Sequence, residues 1–384
     1  MISTVNITRY IILSLPAYSS LICLIMYLYS YWGTNFEKNK QVSISLAGYF
    51  MTVFFNWIII AIIMYSFQFQ SALYPFRYAS VLLTQVFFYR FIYHITRLPG
   101  DNPFSAWHYF FPISIAVIIY IWSLLIPAWA LDEIIQSAGK QTEAYPVFSR
   151  LFNSLFQVRL IYDIIYITLS LKRIRRYRLE VGNYTSQLEP TYMGWLNILI
   201  VLVIVLIIGP AISAFASDRT PIATQWLFIP VIILMAQHIL IVYNTLIHNF
   251  TILEDIPEEA AVSIESVEEN EKLIKTIRKR EFEKFLAEKR PYTNKELKIT
   301  DLAKQLNSNR TYLSVFINNT YGLTFSSLMN ERRLRYLEEL RGNTAMKNKS
   351  NIELIHLAGF GSYQSYLRAK QKETKSSILK LNLP

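Results

Sequence analysis

The sequence predicts an all-α protein in two parts. A bundle of seven membrane-crossing helices comes first, and a polar helical domain with two helix-turn-helix units follows. Three observations predict this. Seven apolar stretches of spanning length fill residues 1–250. Charge density then steps up: residues 1–250 hold 15 Lys and Arg and 9 Asp and Glu, whereas residues 251–384 hold 23 and 18 in about half the length. Finally, a pattern of two short helices joined by a tight turn occurs twice after residue 290.

Composition sets the class. Hydrophobic residues make up 53% of the 384 and charged residues 17%, where a soluble domain carries about 25% charged residues. Mean hydropathy is +0.26. A disordered chain is excluded, because so much apolar surface must be buried. The single cysteine, Cys23, excludes an intramolecular disulfide and a thiolate zinc cluster.

The apolar stretches run over 10–32, 42–66, 73–95, 109–131, 147–171, 193–217 and 225–248. About 20 residues of helix cross about 30 Å of hydrocarbon. Backbone groups find no water there, so each stretch should be helical. Tyr29, Tyr31, Trp32, Trp107, Tyr109, Trp129, Trp195 and Trp226 cluster at the predicted ends, as headgroup-level belts do.

Loop charges orient the bundle. With the N-terminus outside, Lys38, Lys40, Arg97, Lys172, Arg173, Arg175, Arg176 and Arg178 fall inside, while Arg9, Lys140 and Arg219 fall outside. Seven spans then deliver the C-terminal domain to the cytoplasm, with the protein in the inner membrane and in contact with its lipid. Arg159 and Asp163 lie within the fifth stretch, four residues apart and so on one helical face. A charge at that depth is costly unless it is paired or faces a cavity. Two readings follow: an internal ion pair, or Arg159 binding an anionic signal ligand with Asp163 holding it in place. The histidines follow no ligand spacing, so no metal site is expected.

Residues 251–289 form a linker, acidic at first and then helical. Val267, Ile274 and Ile277, followed by Phe282, Phe285 and Leu286, give an apolar side. It serves either to pack the linker on the following domain or to pair two copies of the chain as a homodimer.

The last domain begins near residue 290. Thr300 reads as a helix N-cap, with Leu302, Ala303 and Leu306 as one apolar face. Asn307 and Ser308 make a turn. A second helix opens near Asn309 with Leu313, Phe316 and Ile317 inward, and Gly322 stops it. A connecting helix covers about 325–341. The unit recurs at 351–373, with Leu354 and Ile355 in the core, Gly359 at the turn, Phe360 as a packing anchor and Ser362 as a cap. Residues 290–384 carry 16 Lys and Arg against 7 Asp and Glu, net +9, the electrostatic footprint of a nucleic-acid binder.

Four segments carry a family resemblance: KRPYTN at 289–294, LAKQLNSNRTYLSVFINNTYG at 302–322, MNERRLRYLEEL at 329–340 and AGFGSYQSYLRAKQK at 358–372. With them, residues 290–382 resemble the DNA-binding domain of the AraC/XylS family of transcription regulators. The whole arrangement is similar to membrane-bound members of that family in Bacteroidetes. The resemblance implies two recognition helices entering successive major grooves of double-stranded DNA. By position, the first would present Arg310, Thr311, Ser314, Val315 and Asn318, and the second Tyr363, Gln364, Ser365, Leu367 and Arg368. Arg368 is the best single candidate for a guanine contact, with a phosphate contact as the alternative. Asn318, Asn319 and Lys372 suit phosphate. Lys370 stands where the family's second recognition helix usually buries Phe.

The expected function is therefore a membrane-embedded one-component regulator, binding specific DNA under control of an unidentified signal. No P-loop, nucleophile–base pair or paired carboxylate with lysine is present, so neither an enzyme nor a cofactor is expected. The alternatives are a seven-span transporter or membrane enzyme carrying a regulatory DNA-binding domain, with Arg159, Asp163, Gln237, His238 and Asn244 as a substrate path, or a membrane adaptor with a degenerate helix-turn-helix.

Overall fold

The computed structural model describes residues 4–33, 37–65, 69–98, 100–137, 145–186, 193–215, 228–246 and 277–381. Lys140, Arg219, Trp226, His248 and the linker from 251 to 276 lie outside the described residues. Among the described residues the chain is all-helical. Its one β feature is an isolated antiparallel bridge between Thr185 and Lys298. The chain divides into two compact units, one of residues 1–174 with 194–249 and one of residues 175–193 with 250–384.

The first unit holds α1 (Thr4–Gly33), α2 (Glu37–Tyr65), α3 (Gln70–Ile95), α4 (Trp107–Ser123), α5 (Ala128–Gln136), most of α6 (Pro146–Tyr184), α7 (Trp195–Phe215) and α8 (Phe228–Leu246). Among the described residues, four helices are long and apolar enough to cross a membrane, in α1, α2, α6 and α8. The third stretch is one 26-residue helix, but Arg77, Arg90 and its glutamines dilute its hydropathy. The fourth is not one helix. It breaks between Ser123 and Ala128, where Pro127 cannot donate to the helical ladder and stands as the N-cap of α5 with an extended ψ of 143°. Among the described residues, four of the seven apolar stretches thus coincide with helices that qualify by both length and hydropathy. The basic run 172–178 is not a loop either, since α6 continues through it to Tyr184. Lys and Arg are good helix formers, and neither Gly nor Pro interrupts the helix before Gly182.

The packing follows the apolar faces. Tyr78, Leu82 and Val86 of α3 meet Ile119, Ile134, Phe152 and Tyr162 from α4, α5 and α6 in one buried cluster. At Gly48 a Cβ would lie 2.3 Å from the Phe87 ring, so α2 and α3 approach too closely for any side chain there. Polar groups join α1 to α8: Ser19 Oγ lies 2.7 Å from His238 Nδ1, and Tyr27 pairs with Thr245. The outer faces are rich in exposed Ile, Leu and Val, Ile25, Ile113, Ile161 and Ile232 among them, as contact with lipid chains allows. Tyr29, Trp32, Trp107 and Trp129 are exposed as the belt requires, whereas Trp195 is buried against Phe91.

The second unit holds the end of α6 and then α9 (Lys279–Lys289), α10 (Ile299–Gln305), α11 (Arg310–Tyr321), α12 (Phe325–Gly342), α13 (Asn351–Leu357) and α14 (Tyr363–Leu381). The described part of the linker, α9, packs within its own chain. Phe282 and Leu286 are buried, Phe282 stacks edge-on against Phe316, and Glu283 accepts from the Tyr321 hydroxyl at 2.9 Å and from Arg332 at 2.7 Å.

Candidate nucleic-acid interface

Local chemistry sets the first helix pair. Lys298, not Thr300, is the N-cap of α10. Asp301 decides this by reaching back to accept from the Lys298 amide at 3.0 Å. Asn307 adopts a left-handed conformation (φ 48°) that asparagine tolerates, and the Ser308 amide then closes onto Ala303 O at 2.9 Å. Asn309 caps α11 by accepting from the Tyr312 amide at 2.7 Å. Leu302, Leu313 and Ile317 are fully buried. Phe316 is half-buried beneath α9.

The second pair has a core of its own. Leu354, Ile355, Ala358, Phe360 and Tyr366 gather against Leu334, Leu337 and Leu340 of α12. Ser350 and Glu353 cap α13 reciprocally: the Ser350 amide donates to Glu353 at 2.7 Å, and the Glu353 amide donates to Ser350 Oγ at 3.3 Å. Gly359 (φ +98°) makes the turn. A Cβ there would sit 2.3 Å from Tyr292 O, so glycine is required by both conformation and space. Ser362 caps α14 by accepting from the Ser365 amide at 3.2 Å.

The residues implied by resemblance divide by exposure. On α11, Thr311 and Val315 are exposed, while Arg310, Ser314 and Asn318 are half-buried. On α14, Tyr363, Gln364 and Arg368 are exposed. Ser365 is occupied locally, its hydroxyl donating to Ser362 O at 2.7 Å. Leu367 packs against the second core rather than facing outward. Tyr366 is buried beside Phe360. Lys370 is exposed, with its ammonium 5.9 Å from the Tyr366 ring centroid. Lys372 donates to Ser327 Oγ at 2.7 Å, tying α14 to α12. Arg368 and Gln364 thus leave one exposed face of α14 with the side chains suited to bidentate contact with base edges.

One central residue escaped sequence reasoning. Arg333, in α12, is almost wholly buried and has no acidic partner among the described residues. It donates to Tyr292 O at 2.7 Å, Asn294 O at 2.9 Å, Asn330 Oδ1 at 3.1 Å, Ser186 O at 3.1 Å and Ser186 Oγ at 2.9 Å. Burial lowers its pKa to about 10, which still leaves it charged at neutral pH. The available signal was register. Met329, Arg333 and Leu337 follow at steps of four, so a cation occupies a core position of an apolar stripe.

In the first unit, Arg159 Nε lies 3.6 Å from Asp163 Oδ2; the Asp163 side chain is 1% exposed and that of Arg159 29%. The pair sits on α6, where neighbouring Tyr162 packs with α3 and α4. Gln237, His238 and Asn244 are buried on α8, where the polar contacts run to α1 and the His238 ring lies against Phe50 of α2. Of the five polar groups of the expected substrate path, two thus lie on α6 and three on α8. Among the described residues no group of three His, Cys, Asp or Glu side chains gathers as a metal site would. No family model, curated protein or solved structure matches the chain.

Proposed function

We propose that the chain is a one-component transcription regulator held in the inner membrane, and that its C-terminal unit binds specific double-stranded DNA from the cytoplasm. What supports this most is the repeat of one construction: two capped pairs of short helices on either side of α12, each with its own buried core. The exposed face of α14 carries Arg368 and Gln364, and residues 290–384 are net +9. The resemblance of residues 290–382 to the AraC/XylS DNA-binding domain adds the expectation of two helix-turn-helix units reading adjacent grooves.

The membrane half supplies the sensor in this reading. Seven spans with the N-terminus outside leave Arg175 inside and Gly139, which lies outside the described residues, on the far side. A signal that binds one arrangement of the helices better than another shifts their population, and α6 carries that shift towards the DNA-binding unit. The test is a genome-wide map of DNA crosslinked to the tagged, intact chain. Discrete sites upstream of genes support the reading. A flat map from a membrane-inserted protein favours the adaptor.

A further inference from the structure

We infer that the last turns of α6, with the two residues after them, form a latch that withholds the first recognition helix from DNA. This rests on the DNA-binding reading above and specifies how that site is regulated. Every contact involved lies within the second compact unit, because residues 175–193 belong to it.

The latch has a firm half and a weak half. The firm half is Thr185–Ser186. Thr185 bridges Lys298 in antiparallel fashion, and the Ser186 amide and hydroxyl both donate to Leu297 O, at 3.1 and 2.9 Å. Ser186 is 2% exposed and receives two of the Arg333 hydrogen bonds. Buried, charge-assisted bonds of this kind are costly to break, so this point stays attached.

The weak half is the helix end itself. Glu180 Oε2 lies 3.9 Å from Arg310 Nη2, and the Arg310 guanidinium sits 5.3 Å from the Tyr184 ring centroid. Arg310 opens α11 and is the only cation among the first-helix positions implied to touch DNA. A solvent-touched ion pair contributes little net stability. A DNA phosphate offers Arg310 the same charge and a better geometry. Glu180 therefore competes with DNA for Arg310, while its own negative charge repels the phosphate backbone. α6 is one helix from Pro146 to Tyr184. The element that ends in Glu180 and Tyr184 also carries the Arg159–Asp163 pair in its apolar part. Displacing the helix end while Ser186 stays anchored frees Arg310.

One geometry makes the latch testable in the full chain. A Cβ built on Gly182 lies 3.8 Å from Thr324 Cβ, within the separation that a disulfide spans. The native Cys23 is buried and elsewhere. The full chain carrying Gly182→Cys and Thr324→Cys, purified in detergent, is oxidised, and its binding to a mapped target site is compared before and after reduction. The oxidised form should bind roughly tenfold or more weakly than the same molecule reduced, the scale of losing a specific contact. Glu180→Gln alone should raise wild-type binding. Equal binding by the oxidised and reduced forms, or no disulfide despite both thiols being present, overturns the latch alone. A disulfide that forms while neither form nor the wild type binds DNA overturns the DNA-binding reading, and the latch with it.

Discussion

Arg333 donates to both the carbonyl and the hydroxyl of Ser186, a residue 147 positions earlier in the chain. The same guanidinium holds Tyr292 O and Asn294 O, and lies 5.9 Å from the Phe360 ring centroid. One buried cation thus joins the segment after α6, the residues before α10, and the turn of the second helix pair. Arg333→Met should take the donor from five acceptor atoms inside the unit and cost about 3–5 kcal/mol, as loss of one member of a buried polar network does. Thermal melting of the purified chain, read beside its level in membranes, checks this. Arg333→Lys should recover only part of the loss, because an ammonium cannot span the same fork of acceptors.

Gly359 is a second place where distant segments meet, its turn lying against the Tyr292–Thr293 backbone. Gly359→Ala should destabilise by about 2–4 kcal/mol, since the new methyl meets Tyr292 O and the Thr293 backbone in a positive-φ turn. The damage should centre on α13 and α14. Faster amide exchange confined to residues 351–370 is the expected pattern; no change there would mean that the turn relaxes freely.

The Arg159–Asp163 pair separates two readings of the membrane half. Either single change to Leu should lower the protein level, because one charge at membrane depth is left uncompensated. Arg159→Leu with Asp163→Leu should restore the level. A reporter driven by the regulator's own target promoter then decides. Normal response in the double variant means an internal ion pair; a normal level with a locked response means that Arg159 holds the signal ligand.

Glu353 makes the cap of α13 sensitive to acid. The backbone hydrogen bond from Ser350 holds its carboxyl below the ordinary value of 4.5. A carboxylate lowered in the folded state stabilises above its unfolded pKa, and the effect is lost as pH falls through the folded one. Protection of the α13 amides, normalised for intrinsic exchange, should be higher in wild type than in Glu353→Gln at pH 7. The difference should vanish below the folded pKa. A gap that persists unchanged into strong acid contradicts this origin.

Much of the architecture was legible because it follows from short-range rules. The apolar runs became α1, α2, α6 and α8, and the caps at Asn309 and Ser362 act where their residue types place them. The break before Pro127 was also written in the sequence, but averaged hydropathy conceals a single missing donor. What could not be read depends on partners far along the chain. The burial of the charged Arg333 is tolerable only through acceptors such as the distant Ser186 and Tyr292 carbonyls. Leu367, implied by resemblance to face DNA, is half-buried against the second core, beside the buried Tyr366. Glu180 carries no signal at all until Arg310 is beside it.

The central claim is that α14, with α11, reads base sequence. The most direct measurement is selection from a randomised DNA pool by the detergent-purified full chain, with Arg368→Ala in parallel. The account predicts that the wild type enriches a motif with two elements about 10 base pairs apart. Arg368→Ala should lose about 1–3 kcal/mol of preference at one base position and keep the rest. A folded wild-type chain that enriches no motif at low salt would contradict it.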